Sequence, residues 1–246
     1  MNTRKTIGAL VSLGIAVVIA ALMWPSAPAF SDFEAGPERK HAFISYIQPL
    51  VDQTNAEILE DRRRLVDIYE HKDDLGLMER HFLSGLVDYY DLADFDETND
   101  THWQTLLQRV DQIPPSLAIA QAAKESGWGT SRFAREGNNY FGQWCFEPGC
   151  GLVPRDRKSG KAHEVADFSS PAESVEAYIA NLNRHPAYET LRTIRASAST
   201  RGTPATGSAL AAGLERYSSR GEQYVREIQA MIRNNDLERF DQDDNR

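Results

Sequence analysis

Apolar residues in the first half of the chain recur with a helical period. Between Lys40 and Asp91, Leu59, Leu65, Val66, Ile68 and Tyr69 stand among charged residues at spacings of three, four and seven, as an amphipathic helix requires. Pro49 marks a start or a kink in that stretch, because a proline ring clashes with the turn before it. A second helix is expected from about Leu75 to Tyr90, with Leu77, Met78, Phe82, Leu86, Val87 and Tyr90 on one face. Residues 31–39, with Gly36 and Pro37, read as a linker, and the acids from Asp88 to Asp100 read as a solvated connector.

In the second half, helical and turn signals alternate. Pro114-Pro115 ends one element and Ser116 opens an alanine-rich helix from Leu117 to about Arg135, interrupted at Gly127 and Gly129. Gly137-Asn138-Asn139 predicts a turn, since Gly and Asn tolerate positive φ. Residues 140–168 read as a small lobe of loops and strands, with a turn at Lys158-Ser159-Gly160 joining strands over 151–155 and 162–168. Ser170-Pro171-Ala172-Glu173 is a capping box with proline at the first helical position, and Val175, Tyr178, Ile179 and Leu182 form the stripe that follows. Further helices are expected after Pro186, near 209–216 and over 222–234, before a polar tail. The whole pattern predicts an α+β, mostly helical fold, with a helical N-terminal region over 30–100 and a mixed domain over 101–240.

The first residues differ from the rest. Arg4 and Lys5 precede an uncharged apolar run, Ile7 to Trp24, and Ser26-Ala27-Pro28-Ala29 follows. Residues 1–29 therefore read as a signal peptide or a retained membrane anchor, with a buried core helix as the alternative. Either of the first two places the remainder in the cell envelope, periplasmic or held on the outer face of the inner membrane. A formal charge of -9 leaves no basic footprint for nucleic acid. The two cysteines, Cys145 and Cys150, read as a disulfide in an exported protein, or as two free thiols. No cofactor or metal is expected, because the six histidines are scattered without ligand spacing.

The candidate chemistry centres on Glu125. It lies near the end of the alanine-rich helix, with Gln121 and Ala122 on the same face and Trp128 three residues on. Small side chains let a substrate approach the carboxyl, and Trp128 is placed to cover it. Partial desolvation raises a carboxyl pKa, the condition for giving a proton to a glycosidic oxygen near neutral pH. The alternative is an exposed, helix-favouring glutamate.

The run Ala-Gln-Ala-Ala-Lys-Glu-Ser-Gly-Trp-Gly over 120–129, followed by Gly-Asn-Asn-Tyr-Phe-Gly-Gln-Trp over 137–144, resembles the glucosaminidase family of peptidoglycan hydrolases. That family's pattern is a helix ending in Glu-Ser-Gly-Trp-Gly and then Asn-Asn-Leu-Phe-Gly. Tyr217-Ser218-Ser219, with Tyr224, Ile228 and Ile232, resembles its closing segment, where a tyrosine reaches the cleft. The resemblance spans about residues 100 to 235. It implies a lysozyme-like catalytic domain with a small β-lobe, acting on peptidoglycan glycan strands, with Glu125 as general acid. It also implies that Asn138, Asn139, Phe141 and Gly142 shape the groove beside Gln121 and Trp128, and that Tyr217 stands near the reacting sugar. Phe141 and Tyr217 could instead be core aromatics.

The second carboxylate is where this chain departs from the family. Glu147, Asp156, Glu164 and Asp167 are the candidates, with Glu164 preferred for its mid-strand place in the β-lobe and a solvent-facing strand glutamate as the alternative. A third route uses the substrate's own 2-acetamido group. Arg155, Arg157, Lys158 and Lys161 gather near the hairpin tip, where they could meet peptidoglycan carboxylates or merely solvate a turn. Competing readings are a lytic transglycosylase or muramidase of the same broad fold, and a non-catalytic envelope protein that binds glycan.

Overall fold

The computed structural model describes residues 26–154 and 163–241. The N-terminal apolar run, the Lys158-Ser159-Gly160 turn with its four basic residues, Asp156, and the tail beyond Asp241 lie outside the described residues. Among the described residues, no helix is long and apolar enough to cross a membrane.

Helix α1 runs unbroken from Pro37 to Glu70. Its start is set by Pro37 at the first helical turn, where the missing N–H costs nothing. Pro49, expected to start or kink a helix, lies inside it. The helix absorbs one lost hydrogen bond because Ile47, Leu50 and Val51 on either side are buried in the core. The linker expected over 31–39 is structured at both ends: residues 31–32 continue a 3-10 turn begun by Phe30, which is buried edge-on against Phe43 and Tyr46, and residues 37–39 already belong to α1.

Two apolar cores share this one helix. Its first half gives Phe43, Ile47, Leu50 and Val51 to a main core with Leu117, Ile119, Tyr178 and Ile228. Its second half gives Leu65 and Ile68 to a smaller core with Leu83, Leu86, Tyr90, Trp103 and Leu106. Ile58 touches both. Helices α2 (Leu77–Tyr89) and α3 (Asp100–Arg109) complete the smaller core. Leu77 and Met78, expected on the apolar face of α2, are exposed instead, because the first turn of that helix projects beyond the core.

The chain then forms α4 (Pro115–Ser126), α5 (Arg132–Gly137), and a three-stranded antiparallel sheet of β1 (Trp144–Cys145), β2 (Gly151–Leu152) and β3 (Glu164–Ala166). Strand order is β1-β3-β2, with Trp144 opposite Val165 and Leu152 opposite Val165 on the other edge. The β2–β3 pairing is the one the hairpin pattern predicts, whereas β1 carries no alternation and is legible only in the structure. Cys145 and Cys150 are joined in a disulfide.

Four helices close the fold: α6 (Pro171–Arg184), α7 (Glu189–Thr200), the short α8 (Gly207–Leu210) and α9 (Glu222–Asn234). Ser170 caps α6 by accepting the Glu173 N–H at 3.2 Å, and Glu173 returns a carboxylate to Ser169. The helix expected near 209–216 is split between α8 and a 3-10 turn over Ala211–Leu214. The mostly helical α+β class with a small β-lobe is what the sequence pattern predicts.

Candidate active site

Helix α4 is the scaffold. Ala118, Ala120, Ala122 and Ala123 are all buried, and their small side chains let α1 and α9 pack close on either side. The helix stops hard. Gly127 takes the left-handed conformation at φ 59°, and the Trp128 N–H reaches back to the Ala123 carbonyl at 2.9 Å. Ser126 donates to the Ala122 carbonyl and accepts the Gly129 N–H, so the last turn cannot fray. Glu125, the residue before it, is thereby held at a fixed, half-buried edge.

A one-way chain of hydrogen bonds ends on its carboxyl. The buried Tyr178 hydroxyl donates to Gln121 Oε1 at 2.6 Å, and Gln121 Nε2 donates to the Tyr224 hydroxyl at 2.9 Å. Tyr224 in turn donates to Glu125 Oε1 at 2.8 Å. Tyr178 fixes which end of the Gln121 amide faces Tyr224, so the Tyr224 proton points at Glu125 and not away from it. The other carboxyl oxygen, Oε2, faces Gly142, where a Cβ would stand 3.7 Å from it. Gly142 has φ +66°, a conformation suited to glycine, so the backbone passes close to the acid with no side chain between them.

Burial pushes the Glu125 carboxyl above its ordinary pKa. The Tyr224 hydrogen bond and the charges of Lys124 and Arg220 oppose that shift without cancelling it. Both cations are spent on Glu227, at 2.6 Å and 2.8 Å, which limits their pull on Glu125. Burial, and then the neighbouring Glu125 charge, holds the Tyr224 hydroxyl far above the usual tyrosine range, so it remains a donor.

The other residues read from the sequence lie at different removes from this acid. Gln121 is part of the relay and Gly142 borders the carboxyl. Tyr217 is one step back: its ring stacks on Tyr224 at 5.4 Å, and its hydroxyl donates to the Phe141 carbonyl at 2.9 Å. Phe141 itself is buried and stacked on Tyr178 at 3.9 Å, so it belongs to the core and not the groove lining. Asn138 takes the left-handed turn position and donates to the Phe168 carbonyl. Asn139 is buried and fully engaged: it donates to the Gln143 and Ala166 carbonyls and accepts from the Phe141 and Gln143 amides. Both asparagines brace the loop, and the Asn139 carboxamide is taken up entirely by backbone. Trp128 does not follow the expectation of a cover for Glu125. The reversal at Gly127 directs it onto α1, edge-on to Phe43 at 5.6 Å, with the Lys40 amine over its ring.

Glu164 also departs from its expected role. It is buried in β3, and its carboxylate accepts the Gly149 and Gly151 amides at 3.1 Å and 3.0 Å. That geometry clasps the disulfide loop and leaves the carboxylate committed to backbone. Tyr224 is the contact that motif reading passed over in favour of Tyr217. Its signal was present: a hydroxyl on the Tyr224, Val225, Ile228, Ile232 stripe of α9 must find a buried partner.

Residues 101–237 match the family model described as mannosyl-glycoprotein endo-beta-N-acetylglucosaminidase, which is over half of the chain. The chain belongs to the glucosaminidase family. The chain is 36% identical over 210 residues to Protein bax of Escherichia coli, covering 85% of this chain and 74% of that one. It is 30% identical over 132 residues to peptidoglycan hydrolase FlgJ of Salmonella typhimurium, covering 48% of this chain and 41% of that protein. The catalytic domain of the autolysin Auto from Listeria monocytogenes aligns with a TM-score of 0.46 at 17% identity, over 97% of this chain and 100% of that one. The glucosaminidase match contains Glu125, the whole relay and the β-lobe. Among the described residues, Cys145, Cys150 and Glu164 bring donor atoms within 4.8 Å, but the two sulfurs are bonded to each other and neither offers a thiolate to a metal.

Proposed function

We propose that this glucosaminidase hydrolyses the β-1,4 bond on the reducing side of N-acetylglucosamine in peptidoglycan glycan strands, with Glu125 as general acid. The observation that carries the reading is the division of labour on one carboxyl. Tyr224 occupies Oε1, and Oε2 faces the open backbone at Gly142. The acidic proton therefore resides on Oε2, where it passes to the glycosidic oxygen as the bond to the anomeric carbon breaks. With Glu164 committed to the β-lobe backbone, the sugar's own 2-acetamido oxygen closes on the anomeric carbon. Water then opens that ring and returns its proton to the Glu125 carboxylate. The setting proposed is the cell envelope, where peptidoglycan lies, with residues 1–29 as export signal or membrane anchor.

Digestion of purified peptidoglycan tests this. Mass spectrometry is expected to find fragments with N-acetylglucosamine at the reducing end, and proton NMR in the first minutes to find the β-anomer ahead of mutarotation. Ends in a 1,6-anhydro sugar would replace hydrolysis with lytic transglycosylation, and a first-formed α-anomer would remove the acetamido step.

The pH profile follows from the raised Glu125 pKa. An acid catalyst works while protonated, so kcat/KM is expected to fall as pH rises through a value above the ordinary glutamate range of about 4.3. Tyr224→Phe removes the hydrogen bond that steadies the charged form. It is expected to move that limb to still higher pH while lowering the maximum rate. An unchanged limb in Tyr224→Phe would detach Tyr224 from the acid.

A further inference from the structure

The β-lobe carries an aromatic surface that the acid and its relay do not use. Trp144 opens β1 and is 58% exposed, although one face of its indole lies parallel to the His163 ring at 4.3 Å and 10°. Phe146, just past the end of the strand, is 71% exposed as well. Large aromatics kept in water on a rigid element mark a binding surface more often than a packing error.

The surroundings hold this indole in place. Its backbone pairs with Val165, its neighbour Cys145 is cross-linked to Cys150, and Glu164 clasps Gly149 and Gly151 in the loop between. Gln143, the residue before, is fixed by Asn139 and by the Ser174 carbonyl. Only Gln143 separates Trp144 from Gly142, which borders Glu125 Oε2, so the two Cα atoms are at most about 7 Å apart. The platform therefore adjoins the acid along the chain, two positions beyond the glycine that borders its carboxyl.

We propose that Trp144, backed by His163, is a stacking platform for a sugar ring of the glycan strand neighbouring the bond presented to Glu125. The inference rests on the proposed glycan substrate. A pyranose ring has a face of C–H groups, and the electron-rich face of an indole attracts such weakly positive hydrogens while burying them. Because the platform is held before substrate arrives, little ordering is required on binding.

The test uses the full chain with Glu125→Gln, titrated with soluble β-1,4-linked N-acetylglucosamine hexamer and followed by isothermal titration calorimetry, which reads affinity whether or not Trp144 is present. Glu125→Gln/Trp144→Ala is expected to bind about tenfold more weakly, and Glu125→Gln/Trp144→Phe to retain most of the affinity, since a phenyl ring also stacks. In the active enzyme, Trp144→Ala should raise KM about tenfold and lower kcat far less. Equal affinity with and without Trp144 overturns the platform. So does a dimer that Trp144→Ala converts to monomer, which would make the patch a contact between copies. Failure of the two ideas is separable: Trp144-dependent binding by a chain that never cleaves glycan keeps the platform and sinks the hydrolase. Full cleavage indifferent to Trp144→Ala does the reverse.

Discussion

Glu125→Gln is expected to abolish clearing of peptidoglycan, with a loss of roughly 10²- to 10⁴-fold in rate, the usual contribution of a positioned general acid. The change is nearly isosteric, and Tyr224 can still donate to the amide oxygen at the position of Oε1. What disappears is the ionisable proton on the oxygen beside Gly142. The same substitution carries an opposite expectation for stability. Burial raises the folded-state pKa of Glu125, so no penalty exists at low pH, where the carboxyl is neutral in both states. As pH climbs through the raised value, the wild-type chain must bury a charge that the amide does not carry. The variant should therefore melt at or above the wild-type temperature at pH 8, with the difference shrinking by pH 4. Zymography and thermal melts at both values decide it. Retained clearing by a folded variant would take Glu125 out of the chemistry.

Asn139→Leu is expected to be the most damaging substitution in the β-lobe. The carboxamide satisfies two carbonyls, of Gln143 and Ala166, and two amides, of Phe141 and Gln143. Leucine leaves all of these without their partner in a site that is 1% exposed. At about 1–3 kcal/mol for each buried group left unpaired, the cost is about 4 kcal/mol or more, a large part of a typical domain's stability. Asn139→Asp should fare little better, since it loses both donors and points a charge at two carbonyl oxygens. Urea unfolding measures this directly. A destabilisation under about 1 kcal/mol would show that the loop is braced elsewhere. Activity should fall with stability, because residues 139–143 set the place of Gly142 against Glu125.

These two residues also show what the sequence makes legible. Glu125 was readable because its context is local: a run of alanines, a helix stop and a glycine pair sit within a few positions of it. The capped helix at Ser170 and the helix over 222–234 were readable for the same reason. Asn139 was found by its motif but assigned to substrate, since nothing local shows that its four partners come from both ends of the β-lobe. Glu164 failed in a related way: its strand position was right, but the glycine amides that claim its carboxylate belong to a loop thirteen to fifteen residues earlier. Trp128 was misplaced because one left-handed glycine redirects everything after it. Pro49 was overruled by burial on both sides, a tertiary effect that no local rule contains.

Helix α1 sets the terms on which this enzyme can be inherited or rebuilt. The family-matched stretch begins at residue 101, yet Phe30, Phe43, Ile47 and Leu50 upstream line the same interior as the helix bearing Glu125. Recombination that carried only the matched stretch into another gene would deliver the acid, the tyrosines and the clasped loop with one wall missing. In this chain the unit that folds is therefore longer than the unit that sequence matching recognises.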